Sequence, residues 1–588
     1  MRNCFLALPL VLLFAGADAS AQRARFRTLN DTVSPPQYAS AAEWRRRAAY
    51  VREHILASAG LLPMPERTPL RPVVFGEVKS ADHTVSKAYF EALPGFFVTG
   101  NLYRPIGDGP FPAILSPHGH WAYGRLENTA IVSVPGRAIN LARQGFVVFT
   151  YDLIGYNDSR QLVHREFGGS REKLWGLSIA GLQLWSGVRG LDFLESLPYV
   201  RRDALGATGA SGGGTQTFLL AAIDERVKAA VPVNMISLHM QGGCLCENLP
   251  GLRLDTNNVE IAATIAPRPL LMVSATDDWT TNTMEREYPA VRALYSLMDA
   301  PDRVHAVRFE AVHNYNRQSR EAMYNWMARW LQGAPADVRR SETTFTPAAL
   351  PDLLVFHQRP VPASAVTDTQ LTASWIDAAK RQLASTPMDT RARALRHALG
   401  FGEASPAPAQ INRGRRRDRT VLVAGIDEGL ERQIRAAGFA VRAIAFTPFD
   451  AEEAAKIPHF DTYNRTAASQ RVADIVAAMR ASPEAALVAS GDAALAGLLA
   501  AAVEPGRSAV LDVGAFDTAS DAAFVDRLYA PGLRRAGDLS TAAAVAGDRV
   551  VIHNAGAGFT LGGHPVRRGK LSDQELIAWL RQSARAAR

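Results

Sequence analysis

The chain has 588 residues, 47% of them apolar and 21% charged, a globular composition on a length greater than one hydrophobic core normally organises. Its net charge of +8 is a small excess of 65 basic over 57 acidic residues, spread thinly except at Arg415 to Arg417, so nucleic-acid binding is not implied. Two large domains are expected.

The chain starts MRNCFLALPLVLLFAGADASAQ, with Arg2 ahead of an apolar run of about a dozen residues and then the small-x-small step Ala19-Ser20-Ala21. This reads as a signal peptide over residues 1–21, hence a periplasmic or secreted protein. The run is shorter than the roughly 20 residues a spanning helix needs, and no membrane contact is expected once the signal is removed. Cys4 would leave with it, and the mature chain would keep Cys244 and Cys246.

Next comes AAEWRRRAAYVREHILASAGLLP, an arginine-rich helix whose apolar stripe at helical spacing marks it for packing. From Val73 onward, apolar or β-branched runs alternate with amphipathic helical stretches, the pattern of an α/β fold with a mostly parallel sheet. FPAILSPHGH, GFVVFTYDLIGYNDS, ALGATGASGGG, AAVPVN, RPLLMVSATDD and HAVRFEAVHN each read as a strand ending in a polar loop. In open α/β sheets ligands gather at such strand ends.

Three of these ends carry chemistry. Gly209-Ala210-Ser211-Gly212-Gly213 has the G-x-S-x-G spacing of a strained strand-to-helix turn that exposes a serine nucleophile. A serine hydroxyl needs a base, a group to orient that base and donors for an oxyanion. Asp277 and Asp278 end one later strand and His313 ends the last, which gives the chain order serine, acid, histidine. Composition does not choose between the two aspartates. In SPHGHW, Ser116 to Trp121, the backbone matters more than the side chains: the amides of Gly212 and His120 would face the developing oxyanion, while His118 and His120 shape the loop.

The long segment MISLHMQGGCLCENLPGLRLDTNNVEIAAT holds Cys244 and Cys246, which could be a strained disulfide, two thiols or half of a metal site. No second Cys or His pair at metal spacing accompanies them in the sequence, so no metal is expected. No other cofactor is expected either. Glu247, Arg253 and Asp255 could bind a sugar or a uronate, or form a surface ion-pair cluster. Trp121, Glu247 and Arg253 are the candidates for contact with substrate.

LPGFFVTGNLYRP, SPHGHW, GASGGGTQT and APRPLLMVSATDDWT together resemble the α/β-hydrolase superfamily, and within it the bacterial acetyl xylan esterase-like and dipeptidyl-peptidase-like branches. The resemblance runs from about Tyr38 to Gln332. It implies a three-layer α/β-hydrolase sandwich, an acyl-enzyme mechanism and an acid at the second position of DDWT, namely Asp278. The substrate implied is an acetyl, other acyl or methyl ester of a plant polysaccharide, or another small ester. A peptidase of the prolyl-oligopeptidase kind is the alternative, although nothing repeats at the period of the propeller those enzymes usually carry. A non-catalytic protein built from two hydrolase folds is a third reading.

The polar, proline-bearing stretch around residue 340 reads as a linker, which divides the mature chain into a catalytic domain (22–340) and a second domain (341–588). The second part repeats pieces of the first in order: TASWIDAAKRQL, IRAAGFAVRAIAF, ALVASGDAALAGLLAA and AAAVAGDRVVIHNAGAGF. It is expected to be a degenerate, non-catalytic copy. Either Ser490 or Gly491 falls opposite Ser211, Gly558 falls opposite Asp278, and His564 is the one histidine left to match His313.

Overall fold

A computed structural model of the chain describes residues 26–402 and 420–586. The stretch read as a signal peptide and the arginines 415–417 lie outside the described residues. The first part forms a nine-stranded sheet from β1 (Val73–Lys79), β2 (His83–Leu93), β3 (Phe96–Pro105), β4 (Phe111–Pro117), β5 (Val147–Tyr151), β6 (Val200–Ala210), β7 (Val227–Val233), β8 (Leu270–Asp277) and β9 (Val304–Val312). The order across the sheet is β1-β2-β3-β5-β4-β6-β7-β8-β9. Pairing is antiparallel from β1 to β5 and parallel from β5 through β9.

The central strands are continuous apolar runs because helices cover both faces. The pleat sends Leu115 and Phe149 into one core, with the helices Ile179–Ser196 and Gly212–Ile223, and sends Ile114 and Val148 into the other, with Val134–Arg143 and Arg317–Leu331. The arginine-rich helix Ala41–Ser58 joins the first of these cores through Trp44, Val51 and Ile55. The result is the three-layer sandwich the sequence implied.

The stretch read as a linker is bound to this sandwich. The Glu342 carboxylate lies 2.6 Å from the Arg320 guanidinium and accepts from the Tyr324 hydroxyl at 3.0 Å, and the Leu353 carbonyl accepts from Asn101 at 2.8 Å. Further on, helix Asp368–Ser385 places Trp375 and Ile376 in the first core. The core of the second sheet takes its residues from Ala394 onward, together with Leu174. By packing, the division between the two bodies therefore falls beyond residue 385 rather than at 340. Composition alone does not reveal that a polar stretch has buried partners.

The second sheet comprises β10 (Thr420–Ala424), β11 (Ala440–Ala443), β12 (Ala486–Ser490), β13 (Ala509–Asp512) and β14 (Val550–His553). Its order, β11-β10-β12-β13-β14, is parallel throughout and repeats β5-β4-β6-β7-β8. The turn after β12 decides between the two ways of matching the halves. Gly491 has φ +60° and ψ −132°, close to the +56° and −125° of Ser211. The Gly491 amide donates to Asp512 at the end of β13 at 2.9 Å, as the Ser211 amide donates to Val233 at the end of β7 at 3.1 Å. Gly491 thus occupies the position of Ser211, and Ser490 that of Ala210. Among the described residues, no strand follows β14.

Arg535 joins the two bodies. It is 3% exposed and donates to the carbonyls of Gly60 at 3.0 Å and Pro63 at 2.6 Å and to the Gln382 side chain at 2.6 Å. Replacing it with methionine keeps much of the packing and leaves those buried acceptors without a donor. Arg535→Met is expected to destabilise the full chain by about 2 kcal/mol or more, seen as a lower thermal midpoint. An unchanged midpoint would show that the contact contributes nothing.

Candidate active site

The turn after β6 is crowded by backbone, which explains its glycines. A Cβ on Gly209 would lie 2.6 Å from the carbonyl oxygens of Gly213 and Pro117, and one on Gly213 would lie 2.6 Å from those of Pro117 and His118. Between them Ser211, a non-glycine residue, is held at φ +56°. Such a conformation costs about 1–3 kcal/mol and persists only where the surroundings impose it. Ser211 is 7% exposed and sits at the head of helix Gly212–Ile223, whose first amides carry partial positive charge.

The loop after β4 passes directly over this turn. A Cβ on Gly119 would be 2.8 Å from the Ala210 carbonyl and 3.2 Å from Ser211 Cβ, so only glycine allows the approach. His118 shapes the loop: its Nε2 accepts from the Leu153 amide at 3.0 Å and its Nδ1 donates to the Gly119 carbonyl at 2.6 Å. Burial pulls its pKa down to about 3, so it is neutral. The His120 ring lies against Gly212, where an added Cβ would come within 2.6 Å of its Cε1.

Asp278 and His313, from the ends of β8 and β9, meet. His313 Nδ1 is 3.2 Å from Asp278 Oδ1, and the other carboxylate oxygen accepts from the Thr280 hydroxyl at 2.6 Å. The Asp278 side chain has no exposed surface, whereas Asp277 points outward. The His313 ring lies 4.4 Å from the Trp279 ring and 5.6 Å from that of Trp121. Trp121 also reaches toward the serine, with its Nε1 2.8 Å from where a Gly119 Cβ would stand. Trp279 has no counterpart in the sequence reading; its place beside the acid was the available signal.

Two candidate substrate contacts need correction. Arg253 is wholly buried and donates to the carbonyls of Glu247 at 3.2 Å and Gln241 at 2.9 Å and to the Asn258 side chain at 2.7 Å. Glu247 is 3% exposed, and one of its carboxylate oxygens accepts from the amides of Gly243 at 2.7 Å and Cys244 at 2.9 Å. Both hold the segment between β7 and β8 together and do not face a substrate. Asp255 pairs with Arg47 at 3.2 Å.

The fold supplies the histidine pair that the sequence spacing lacked beside the two cysteines. The donor atoms of His120, His164, Cys244 and Cys246 all lie within 4.8 Å of one another. Both cysteines are free thiols. Hydrogen bonding from Cys246, then from the two histidines, draws the Cys244 pKa strongly down, while burial pushes that of Cys246 up. Burial opposes the His120 cation, but Cys244 and Glu247 outweigh it and hold its pKa above the usual imidazole value.

No family model matches the chain. Over 262 residues it is 27% identical to "Putative hydrolase YtaP" of Bacillus subtilis (strain 168), an alignment covering 41% of this chain and 84% of that one. Among solved structures, "Methylesterase BT1017" superposes with a TM-score of 0.50 at 28% identity, covering 59% of this chain and 78% of that one. The first domain has the α/β-hydrolase fold.

The backbone contacts at the turn lead to a direct comparison. Gly213→Ala drives a methyl group into two carbonyl oxygens that cannot retreat, whereas the nearest atom to a Cβ on Gly243 is 4.0 Å away. Gly213→Ala is expected to destabilise the protein by about 3 kcal/mol or more and Gly243→Ala by less than about 1 kcal/mol, read from thermal midpoints. Equal midpoints would contradict the crowding argument.

Proposed function

We propose that this chain is a serine hydrolase of carboxylic esters, with Ser211 as nucleophile, His313 as general base and Asp278 as the group that orients it. The carrying observation is the contact between His313 Nδ1 and the fully buried carboxylate of Asp278, at the ends of neighbouring strands in the sheet whose β6 ends at the strained Ser211. With Nδ1 bonded to Asp278, the lone pair of Nε2 is free to take the Ser211 proton as the hydroxyl attacks the ester carbonyl. The amides of Gly212 and His120 stabilise the oxyanion, where loss of one donor costs about 10²-fold to 10³-fold in rate. Collapse expels the alcohol, which takes the proton from His313, and water repeats the sequence on the acyl-enzyme.

The substrate we infer is a methyl or acetyl ester on a carbohydrate, such as a plant polysaccharide or its fragments. The name of the methylesterase to which this chain is similar supports ester over amide. Trp121 and Trp279 beside the base offer aromatic faces suited to the apolar side of a sugar ring. The second domain is inferred to be structural, because Gly491 supplies no nucleophile and Gly558 no acid. The segment before Gln22 supports export of the mature chain.

The expected outcomes are graded. Ser211→Ala should lower kcat for ester hydrolysis by about 10⁶-fold. Asp278→Asn should lower it by about 10⁴-fold through the wrong histidine tautomer, and Asp277→Asn by less than about tenfold. Steady-state kinetics of the full-length protein on aryl esters, with methanol or acetate release from esterified polysaccharides, measures all three. Greater damage from Asp277→Asn would show that the acid is misassigned, and hydrolysis confined to peptides would overturn the ester reading.

A further inference from the structure

Beside Ser211, and apart from the side chains of Ser211, Asp278 and His313, four potential metal donors converge from three strand-end loops. His120 comes from the loop after β4, His164 from the loop after β5, and Cys244 and Cys246 from the segment between β7 and β8. His120 Nε2 lies 2.9 Å from Cys246 Sγ, and His164 Nε2 lies 3.4 Å from Cys244 Sγ. A tetrahedral zinc with ordinary bond lengths separates sulfur and nitrogen donors by about 3.5 Å. One pair already stands at that separation, and the other needs to open by about half an ångström.

The groups behind the donors complete the argument. His164 Nδ1 donates to the Ile154 carbonyl at 2.6 Å, which leaves the Nε2 lone pair aimed at Cys244. Glu247 Oε1 stands 3.9 Å from His120 Nδ1 while its other oxygen binds the amides of Gly243 and Cys244. A carbonyl behind one histidine and a carboxylate behind the other is the arrangement that fixes tautomer and ring orientation in metal sites. The cysteine loop is anchored in turn: Asn248 donates to the Cys244 carbonyl at 2.9 Å and accepts from the Tyr463 hydroxyl of the second domain at 2.9 Å.

We propose that His120, His164, Cys244 and Cys246 bind one divalent transition metal, zinc by the softness and number of the donors, and that it staples three loops around Ser211. Binding displaces the two protons that the four donors share and leaves a closed coordination sphere of two thiolate sulfurs and two neutral imidazole nitrogens. Such a sphere keeps no position for water or substrate, so the metal is structural. Its effect on the site runs through His120, whose amide belongs to the oxyanion loop and whose ring rests on Gly212.

The test uses the full-length protein, purified under reducing conditions without chelator, and reads metal rather than activity. Elemental analysis should find about one zinc per chain. Replacement by cobalt should give the visible bands of a tetrahedral site with thiolate charge transfer in the near ultraviolet. Cys246→Ser and His164→Ala should each lower bound zinc at least about tenfold, while Ser211→Ala keeps it. Wild-type protein that holds no zinc and shows no cobalt–thiolate band would overturn the proposal. So would an intact cobalt spectrum in Cys246→Ser, or a Cys244–Cys246 disulfide in freshly purified protein. The wild-type cobalt spectrum decides the matter even if a variant fails to fold, and it is independent of the reaction the site performs.

Discussion

The site is organised by the close passage of three pieces of backbone at the end of β6. The Pro117 and His118 carbonyls, the Gly213 carbonyl and the Ala210 carbonyl approach so nearly that positions 119, 209 and 213 cannot carry a side chain. With the turn closed in this way, Ser211 is left at a positive φ that a serine would otherwise avoid. The same closure brings the His120 loop onto the first turn of the following helix and sets the Trp121 ring beside that of His313. Strain at the serine is thus the consequence of packing that also builds the surroundings of the reaction.

The second domain keeps this turn without its serine. At Gly491 the backbone takes nearly the same angles, where glycine adopts them without the Cβ penalty. Nothing then has to hold a strained residue in place: Ala489 and Ala493 stand where the first domain needs Gly209 and Gly213, while the loop after β10 still passes close, a Cβ on Gly425 falling 2.7 Å from the Ser490 carbonyl. The domain instead contributes surface. Arg535 reaches the turn after helix Ala41–Ser58, and Thr462 and Tyr463 bond to the segment that carries the cysteines. A second parallel-sheet domain thereby braces the loops of the first.

The strands, the turn at Ser211 and the strand-end placement of the aspartates and His313 were legible because they obey local rules: alternation, glycine where backbone crowds, polar residues at strand ends. The choice of Asp278 was not, since Asp277 and Asp278 differ only in which way the end of β8 turns them, and the resemblance alone favoured the second. Arg253 and Glu247 were misread because a charged residue in a polar loop looks exposed, while here backbone carbonyls and amides satisfy both in the interior. The histidines facing the cysteines were invisible for a different reason. His120 and Cys246 are 126 positions apart and His164 and Cys244 are 80 apart, so only the fold brings them together.

The central claim is that one strained serine does the chemistry, and covalent labelling addresses it without any assumption about substrate. A fluorophosphonate forms a stable adduct with a serine only where a neighbouring base and an oxyanion site activate it. Incubated with the full-length protein and analysed by peptide mass spectrometry, it is predicted to give a single adduct on the peptide that contains Ser211 and none on that containing Ser490. No adduct at Ser211 in folded protein, or an adduct at Ser490, would contradict the account.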